Sequence, residues 1–323
     1  MTDDTVYAGI DIGGTNVKFG LFDSGGKVLY REQRRTLAEK GAIPLMHLIT
    51  NISEQLLYYA VEEEYSVSWL GVGTPGAVDF KTGTVIGPCP NIDGWHGMDI
   101  GKRLKERLNM PVFVDNDANC VALAEARFGA AIGAGSVVCV TVGTGIGGGI
   151  IINNRVWRGA NYSAAEIGHM PINFDGPMCS CGAQGCIEAY CASSAILNRV
   201  RLRLKKELTP VFDDVLGGDL DNLSIRKLFA AQKKGDTIAR EVLDETAEYL
   251  GIGLAGIVNL LNPMVVVIGG GVADGGGGFV EAVAKVIRKR AFKSAVENLN
   301  VVKASLGNDA GFIGAGLLGE INV

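Results

Sequence analysis

The feature that most constrains the fold is a layout that occurs twice, in which a glycine-rich turn joins two apolar strands. The first copy runs over Val6–Phe22 and carries the turn DIGGTN at residues 11–16. The second runs over Val137–Ile152 and carries GTGIGGG at residues 143–149. Glycines allow a turn to approach a ligand closely and to present backbone N–H groups to it. Two such hairpins predict a site that grips both ends of a polyphosphate.

Two better-known nucleotide-binding motifs do not fit these turns. A Rossmann site needs GxGxxG at a junction between a strand and a long helix, and the pattern predicts no long helix after either turn. A Walker A loop ends in GK followed by Ser or Thr, which this chain lacks. Taken alone, the first turn also fits an ordinary glycine hairpin. Within it, Thr15 and Asn16 add hydrogen-bond donors, and Asp11 at the strand end could hold a hydrated Mg²⁺.

The rest of the chain alternates predicted strands and helices. Apolar residues recur at spacings of three and four from Ile43 to Ala60 and again from Leu243 to Leu261, which predicts two amphipathic helices. The segment Glu207–Ser224 is polar and contains a glycine pair, so we predict an irregular surface excursion there. Short apolar runs predict strands at Val67–Val72, Pro111–Val114, Met264–Ile268 and Val301–Ala304.

Composition excludes several classes of function. The net charge of −5 argues against nucleic acid as a partner, because phosphate binding needs a basic face. No apolar run approaches the roughly 20 residues of a membrane span. The N-terminus lacks the basic start and the apolar stretch of a signal peptide, so we predict a cytoplasmic protein with no membrane partner. The 323 residues favour two lobes, and the clustering of the 46 glycines points to backbone near phosphates.

A candidate base lies in the motif DNDAN, residues 115–119, which follows a predicted strand and precedes a helical pattern. Asp117 has two compatible roles there. Short polar residues favour helix starts, so Asp117 fits an N-cap. A carboxylate at the end of a strand also fits a general base for a substrate hydroxyl, worth about 10²–10⁴ in rate.

A cluster of soft ligands occupies the middle of the chain, in EIGHMPINFDGPMCSCGAQGCIE at residues 166–188. Three of the seven cysteines lie here in the spacing C-x-C-x₄-C, and His169 precedes the first by ten positions. An odd cysteine count with one tight cluster indicates a metal site rather than a disulfide framework. Glu166 and Glu188 bracket the segment, so the metal ligands and two acids should be physically coupled.

These motifs together resemble one family. The sequences DIGGTN, GTPG, DNDAN, GTGIGGGI, EIGH, CSCGAQGCIE and a late GGG occur in the order and spacing of the ROK family (repressors, open reading frames and kinases). The resemblance covers essentially the whole chain and is strongest to bacterial ROK glucokinases. It implies an α/β, two-lobed actin-like ATPase fold of the ribonuclease-H-like type, with an interlobe active-site cleft. We expect a small lobe of residues 1–116 plus 305–323 and a large lobe of residues 117–304 that carries the zinc segment.

The resemblance also implies roles for individual residues. The structural zinc ligands would be His169, Cys179, Cys181 and Cys186, and three thiolates with one imidazole suit a closed tetrahedral Zn²⁺ site. The sugar would be bound by Gly76, Asn91, Asn116, Asp117, Glu166, His169 and Glu188, although Asn91 fits a turn cap equally well. His169 would thus serve twice, with one ring nitrogen on zinc and the other on a sugar hydroxyl.

ATP and Mg²⁺ would lie on the glycine turns. The residues implied are Asp11, Gly13, Gly14, Thr15, Asn16, Lys18, Thr144, Gly145, Gly269, Gly270 and Gly271. The run Gly275–Gly278 is less typical of the family, which leaves the details of the contact near the late GGG open.

The predicted function is ATP-dependent phosphorylation of the 6-hydroxyl of glucose, with Asp117 as general base and with ATP, Mg²⁺ and structural Zn²⁺ bound. This would place the protein in glycolysis and carbohydrate metabolism, as a homodimer or homotetramer. N-acetylmannosamine and N-acetylglucosamine kinases of the family share the catalytic residues and remain an alternative, whereas the cysteine spacing disfavours fructokinases.

Two further alternatives are a sugar-sensing regulator and an actin-like polymer or chaperone. ROK repressors carry a helix-turn-helix before the first glycine turn, and here that turn already begins at Asp11, so we expect no such domain. Actin-like polymers and chaperones share the fold type but lack the EIGH motif and the metal segment.

Overall fold

The structure is a computed structural model that describes residues 5–276 and 278–320. The strands are β1 (Thr5–Ile12), β2 (Asn16–Asp23), β3 (Val28–Arg35), β4 (Ser66–Thr74), β5 (Val78–Asp79), β6 (Thr84–Val85), β7 (Val112–Asn116), β8 (Ser136–Val142), β9 (Ile146–Ile152), β10 (Arg155–Val156), β11 (Val265–Gly269) and β12 (Asn300–Lys303). The helices are α1 (Ala42–Glu62), α2 (Ile100–Leu108), α3 (Asp117–Arg127), α4 (Glu188–Cys191), α5 (Ser193–Leu204), α6 (Pro210–Leu216), α7 (Ile225–Lys233), α8 (Thr237–Leu261), α9 (Gly271–Asp274), α10 (Phe279–Arg290) and α11 (Ala310–Gly316).

The chain divides into two compact units. The first comprises Met1–Ser136, Gly149–Ala165 and Ser305–Val323, and the second comprises Val137–Gly148 and Glu166–Ala304. Residues 1–4, 277 and 321–323 of the predicted lobes lie outside the described residues, and the predicted lobe limits stay a prediction. The first unit includes α3, because that helix packs against α11 and β4.

The first unit is built on a mixed sheet with the strand order β3-β2-β1-β4-β7. Strands β1, β2 and β3 form the predicted antiparallel meander, whereas β4 pairs in parallel with both β1 and β7. Its apolar core includes Phe19, Ile49 and Trp95, all fully buried. The predicted helix from Ile43 is present as α1, whose buried face carries the expected apolar stripe.

Several glycines in the first unit serve helix packing. A Cβ added at Gly9 of β1 would lie 1.8 Å from the carbonyl oxygen of Phe312, and one at Gly71 of β4 would lie 1.7 Å from that of Ala315. A Cβ at Gly314 would lie 1.7 Å from the carbonyl oxygen of Cys120 in α3. Part of the glycine excess therefore reflects close packing against α11 and α3, in addition to the clustered glycines for which phosphate binding stays a prediction.

The second unit places three strands of a second sheet in parallel. Strand β11 pairs with β8 on one side and with β12 on the other, within the order β10-β9-β8-β11-β12. Helix α8 is the predicted long helix and packs against α5 and α10. Its end at Asn262, in the left-handed conformation just before Pro263, agrees with the predicted stop.

The prediction of an irregular excursion at Glu207–Ser224 was wrong in part. Residues 210–216 form α6, which begins with Pro210 after Thr209, whose side-chain oxygen accepts from the backbone N–H of Phe212. Phe212 is fully buried, so tertiary packing stabilises this short helix. Within the described residues, no helix combines the length and the apolar character needed to cross a bilayer.

Candidate active site and metal centre

The four predicted metal ligands converge in the second unit. The ligand atoms of His169, Cys179, Cys181 and Cys186 all lie within 4.8 Å of one another. Cys179 and Cys186 are buried, while Cys181 is exposed at the rim of the cluster. Residues that are 17 positions apart in the chain thus share one small volume, which is the arrangement a bound cation requires.

Two separations within the cluster match a tetrahedral zinc site. The Sγ atoms of Cys181 and Cys186 are 3.8 Å apart, far beyond the roughly 2 Å of a disulfide bond. The Sγ atom of Cys179 lies 3.6 Å from Nδ1 of His169. Bond lengths of about 2.3 Å to sulfur and about 2.05 Å to nitrogen give tetrahedral edges of about 3.8 and 3.6 Å. The residues therefore fit Zn²⁺ in both chemistry and spacing.

Local backbone geometry produces this convergence. Gly182 and Gly185 both have positive φ, at 89° and 71°, which glycine adopts without strain. The carbonyl oxygen of Cys179 accepts from the N–H of Gly182, and a short antiparallel bridge pairs Met178 with Gln184. The sequence CSCGAQGC therefore folds into a tight turn that directs its thiols to one side.

The thiols of the cluster have unlike environments. Burial raises the pKa of Cys186 to about 12, whereas a hydrogen bond from the backbone of Ala183 lowers the pKa of Cys181. A buried thiol with so high a pKa loses its proton only beside a positive charge. A bound cation would supply that charge and favour the thiolate form.

The predicted sugar-binding acids lie next to this cluster. Nε2 of His169 is 4.0 Å from a carboxylate oxygen of Glu166, while its Nδ1 faces Cys179. Partial burial raises the pKa of Glu166, the neighbouring His169 lowers it and Glu188 raises it further. The imidazole thus presents one nitrogen to the metal ligands and the other towards Glu166, as its predicted double role requires.

Glu188 links the metal segment to the second glycine turn. One carboxylate oxygen accepts from the backbone N–H of Ile146 at 3.0 Å, and the other accepts from Oγ of Ser180 at 2.9 Å. A Cβ at Gly145 would lie 2.8 Å from this carboxylate, so a larger residue there would have to displace the Glu188 side chain. The first acid of α4 therefore holds a turn that was predicted to bind phosphate.

The second glycine turn and the late GGG are neighbours. Gly269, the last residue of β11, pairs with Thr141 of β8. Gly270 has φ of 89°, and a Cβ there would lie 2.5 Å from the carbonyl oxygen of Val142. Thr144 at the tip of the turn and Gly271 at the start of α9 are exposed. These residues present backbone groups on one side of the second unit.

The first glycine turn lies in the first unit and is closed by its own backbone. The N–H of Gly13 donates to the carbonyl oxygen of Asn16 at 3.1 Å. Thr36, at the end of β3, donates its hydroxyl to the carbonyl oxygen of Gly13 at 2.7 Å. Gly14 and Thr15 are exposed at the tip, so their N–H groups are accessible to a ligand.

Asp11 and Lys18 flank this turn. They are direct partners across β1 and β2, and the ammonium of Lys18 donates to the side-chain oxygen of Asn308 at 3.0 Å. Burial raises the pKa of Asp11 to about 6, although the positive charge of Lys18 acts to lower it. A Cβ at Gly311 would lie 2.3 Å from this carboxylate, so the glycine leaves room for it. A cation beside Asp11 would favour its ionised form.

The DNDAN motif forms the junction between β7 and α3. Asn116, rather than Asp117, is the N-cap of α3, and its side-chain oxygen accepts from the N–H groups of Ala118 and Asn119. The N-cap interpretation of Asp117 was therefore wrong by one residue. Asp117 is the first helical residue, is half-buried, and accepts from the N–H of Ala118 at 2.8 Å.

The remaining predicted sugar ligands lie near this junction or on the surface of the first unit. The side-chain amide of Asn116 donates to the carbonyl oxygen of Gly76 at 3.1 Å, so the GTPG turn touches the motif directly. Gly76 has φ of 87° and packs against the thiol of Cys89. Burial, with a contribution from the charge of Asp117, raises the pKa of that thiol to about 11. Asn91 lies exposed in the following loop.

Two residues that hold α3 were missed. Glu125, near its end, is fully buried and accepts from the N–H groups of Ala130, Ser305 and Leu306. Arg158 forms an ion pair with Asp115, directly before the N-cap. Glu125 and Ser305 are 180 positions apart, and Arg158 and Asp115 are 43 positions apart, so no local sequence pattern predicts these contacts.

Comparison with known proteins agrees with this arrangement. The model of the ROK family matches residues 7–320. The chain belongs to the ROK family. It is 34% identical to a glucokinase of Thermotoga maritima over 95% of both chains. It is also 31% identical to a xylose repressor of Caldicellulosiruptor bescii, over 95% of this chain and 76% of the repressor.

The fold is likewise that of solved ROK proteins. A ROK family glucokinase from Streptomyces griseus, in complex with glucose and AMPPNP, matches with a TM-score of 0.84 and 34% identity over 97% of this chain and 98% of that one. The predicted α/β fold of the actin-like ATPase, ribonuclease-H-like type is confirmed. The mixed sheets of the two units are consistent with it.

Proposed function

We propose that this ROK protein is an ATP-dependent hexokinase that phosphorylates the 6-hydroxyl of glucose. The observation that carries the proposal is the position of His169, which presents Nδ1 to the thiol cluster and Nε2 towards Glu166. Such a histidine couples a structural metal to a set of polar groups suited to sugar hydroxyls. The glucokinases of Thermotoga maritima and Streptomyces griseus support the choice of glucose and of ATP.

Asp117 is the proposed general base. Its carboxylate lies at the first turn of α3 and is half-buried, and the neighbouring cap fixes its backbone. It accepts the proton of O6 as the bond from O6 to the γ-phosphorus forms and the bond to the β–γ bridging oxygen breaks, releasing ADP. Phosphoryl transfer depends mainly on such positioning and on electrostatic stabilisation.

Sugar recognition falls to the metal segment and to Asn116. Glu166, His169 and Glu188 provide hydrogen-bonding groups for hydroxyls, and we assign the direct contacts chiefly to Glu166 and Nε2 of His169. Glu188 already accepts from Ile146 and Ser180, so it also couples the sugar site to the glycine turn. When bound, Zn²⁺ provides a closed four-ligand link that holds this loop in shape.

ATP binding falls to the glycine turns. The exposed tips at Gly14, Thr15 and Thr144 offer N–H and hydroxyl donors to phosphate oxygens. The run Gly269–Gly271 offers further backbone beside Thr141 and Val142, which lead into the second turn. Asp11 would hold Mg²⁺, which supplies charge neutralisation to the phosphates when bound. Asn91 and Gly76 remain proposed sugar contacts.

A sugar-sensing regulator is a second candidate, because the chain aligns at 31% identity with a xylose repressor. Turnover separates the two functions. A binder without catalysis would retain sugar affinity and show no ADP release.

Steady-state ADP release with ATP and a panel of glucose, mannose, N-acetylmannosamine, N-acetylglucosamine and xylose tests the proposal. We expect kcat/KM for glucose to exceed that of every N-acetylhexosamine by at least about ten-fold, since an added acetamido group must displace pocket contacts worth about 1–3 kcal/mol. Equal values for N-acetylmannosamine and glucose would refute the glucose assignment. Sugar binding by calorimetry without turnover of any sugar would establish the regulator instead.

A further inference from the structure

Asp115 is a buried acid directly before the residues assigned to catalysis. It lies near the end of β7 with 1% of its surface exposed. Burial raises its pKa, while Arg158 and the hydrogen bonds from Asn119 and Asn116 act against that rise. An acid in this position is costly to bury unless it is paired and hydrogen-bonded. Its environment is therefore built around the ionised form.

Arg158 provides the pairing. Its Nε donates to one carboxylate oxygen of Asp115 at 2.8 Å, and NH2 lies 2.7 Å from the same oxygen. Its guanidinium carbon is 3.6 Å from the centroid of the Phe80 ring, so a cation–π contact fixes the group from one side. Only 15% of the arginine side chain is exposed. Lysine keeps the positive charge but cannot reproduce both the Nε–H hydrogen bond and the planar stack on Phe80.

The other carboxylate oxygen of Asp115 holds the start of α3. It accepts from the backbone N–H of Asn116 at 2.8 Å and from the side-chain amide of Asn119 at 3.0 Å. These donors lie on either side of Asp117 in the chain. Asn116 in turn bonds to Gly76. One carboxylate oxygen thus holds the backbone N–H of the residue before Asp117 and the side chain of Asn119, two residues after it.

We propose that Arg158 is a positioning residue for the base Asp117, acting through Asp115. The inference rests on the proposed function. Arg158 touches neither sugar nor phosphate in this role. It sets the rotamer of Asp115, which orients the first turn of α3. A displacement of about 1 Å at a reacting group can cost about 10²-fold in rate, so a loosened turn should lower kcat.

The test compares Arg158→Met, Arg158→Lys and the double variant D115N/R158M with the wild-type chain. R203M is the matched control, because Arg203 also forms ion pairs, with Glu241 and Glu245, and none of these three residues is assigned to the site. For R158M we expect kcat for glucose phosphorylation to fall about 10²-fold while KM for glucose changes less than about three-fold. R158K should recover part of the loss, and R203M should retain wild-type kcat.

The double variant leaves no unpaired buried carboxylate, so it is less prone to misfold than R158M. It therefore separates the loss of positioning from the loss of charge neutralisation at Asp115. We expect it to keep the melting temperature within a few degrees of the wild type and still to show low kcat. Wild-type kcat in the double variant, wild-type kcat in a folded R158M, or a loss confined to KM would each overturn the proposal. Absence of turnover in the wild-type chain would instead overturn the proposed function, so the two failures are distinguishable.

Discussion

Two regions of the molecule carry the proposed chemistry, and they are held in different ways. The base segment at residues 115–119 is fixed by the chain itself, through a buried ion pair, a helix cap and side-chain amides. The metal segment at residues 166–188 contains only short helical turns and isolated β-bridges, and its cysteines and histidine converge on a small volume. Protein contacts alone hold the base segment in place, whereas the metal segment is suited to be held in place by a bound ion.

This difference predicts that the two regions can be disturbed separately. A variant of Asp117 in the base segment should lower the chemical rate while sugar affinity is retained. Loss of the metal should weaken sugar binding, since Glu166, His169 and Glu188 lie on the segment that the ligands hold. Kinetic constants therefore report which region is affected.

The largest effect is expected from Asp117→Asn. The amide cannot accept the proton of O6 as a base, so we expect kcat to fall by about 10²–10⁴-fold. Asn still accepts from the N–H of Ala118, so the helix start and the melting temperature should be preserved. ADP release and calorimetric glucose binding measure the two quantities. Retention of more than about a tenth of wild-type kcat would exclude Asp117 as the base.

An intermediate effect is expected from removal of the metal. Wild-type protein should contain about one Zn²⁺ per chain, and Cys186→Ser should contain little, because a buried thiolate is lost from a four-ligand site. KM for glucose should rise about 10–100-fold, the range seen when the support of a metal site is disrupted. Cys139→Ser, a buried cysteine outside the cluster, is the control and should keep its zinc.

Elemental analysis and glucose kinetics on the same samples decide this prediction. If metal-free wild-type enzyme had the same melting temperature and the same KM for glucose as the zinc-containing enzyme, the cluster would need no ion. A fall in kcat with unchanged KM would show that the metal segment supports the base instead of the sugar, and the comparison between the two regions would then fail.

The sequence allowed the metal ligands to be predicted because their spacing is local and their chemistry is specific. Both glycine hairpins were predictable for the same reason, since each joins strands that are adjacent in the chain. The cap at Asn116 was assigned one residue too late, because Asn and Asp have nearly equal N-cap preference and propensity cannot choose between adjacent positions. Helix α6 was missed although Thr209 and Pro210 signal a helix start, because the helix spans only seven residues before Gly217 ends it, which is too short for a clear apolar period.

Long-range pairs could not be predicted from sequence. Arg158 follows β10 with no motif around it, and only the folded chain brings it to Asp115. Glu125 sits on an amphipathic helix where an acid normally faces solvent, yet it is fully buried and accepts from backbone N–H groups of the returning segment. Both residues act on α3, so the precision of the base site depends on contacts that have no sequence signature.

The smallest effect is expected where the metal segment meets the second glycine turn. In Gly145→Ala, the new methyl group would lie 2.8 Å from the carboxylate of Glu188 and displace it from the N–H of Ile146. Loss of one such charge-assisted hydrogen bond costs about 1.5–3 kcal/mol at most, and partial relaxation should leave a rise of about three- to ten-fold in KM for glucose. Gly143→Ala is the matched substitution, because a Cβ there meets no atom within 4 Å. If both variants raise KM for glucose equally, the effect comes from the lost flexibility of the turn. An effect confined to Gly145→Ala shows that the contact between Glu188 and the turn affects sugar binding.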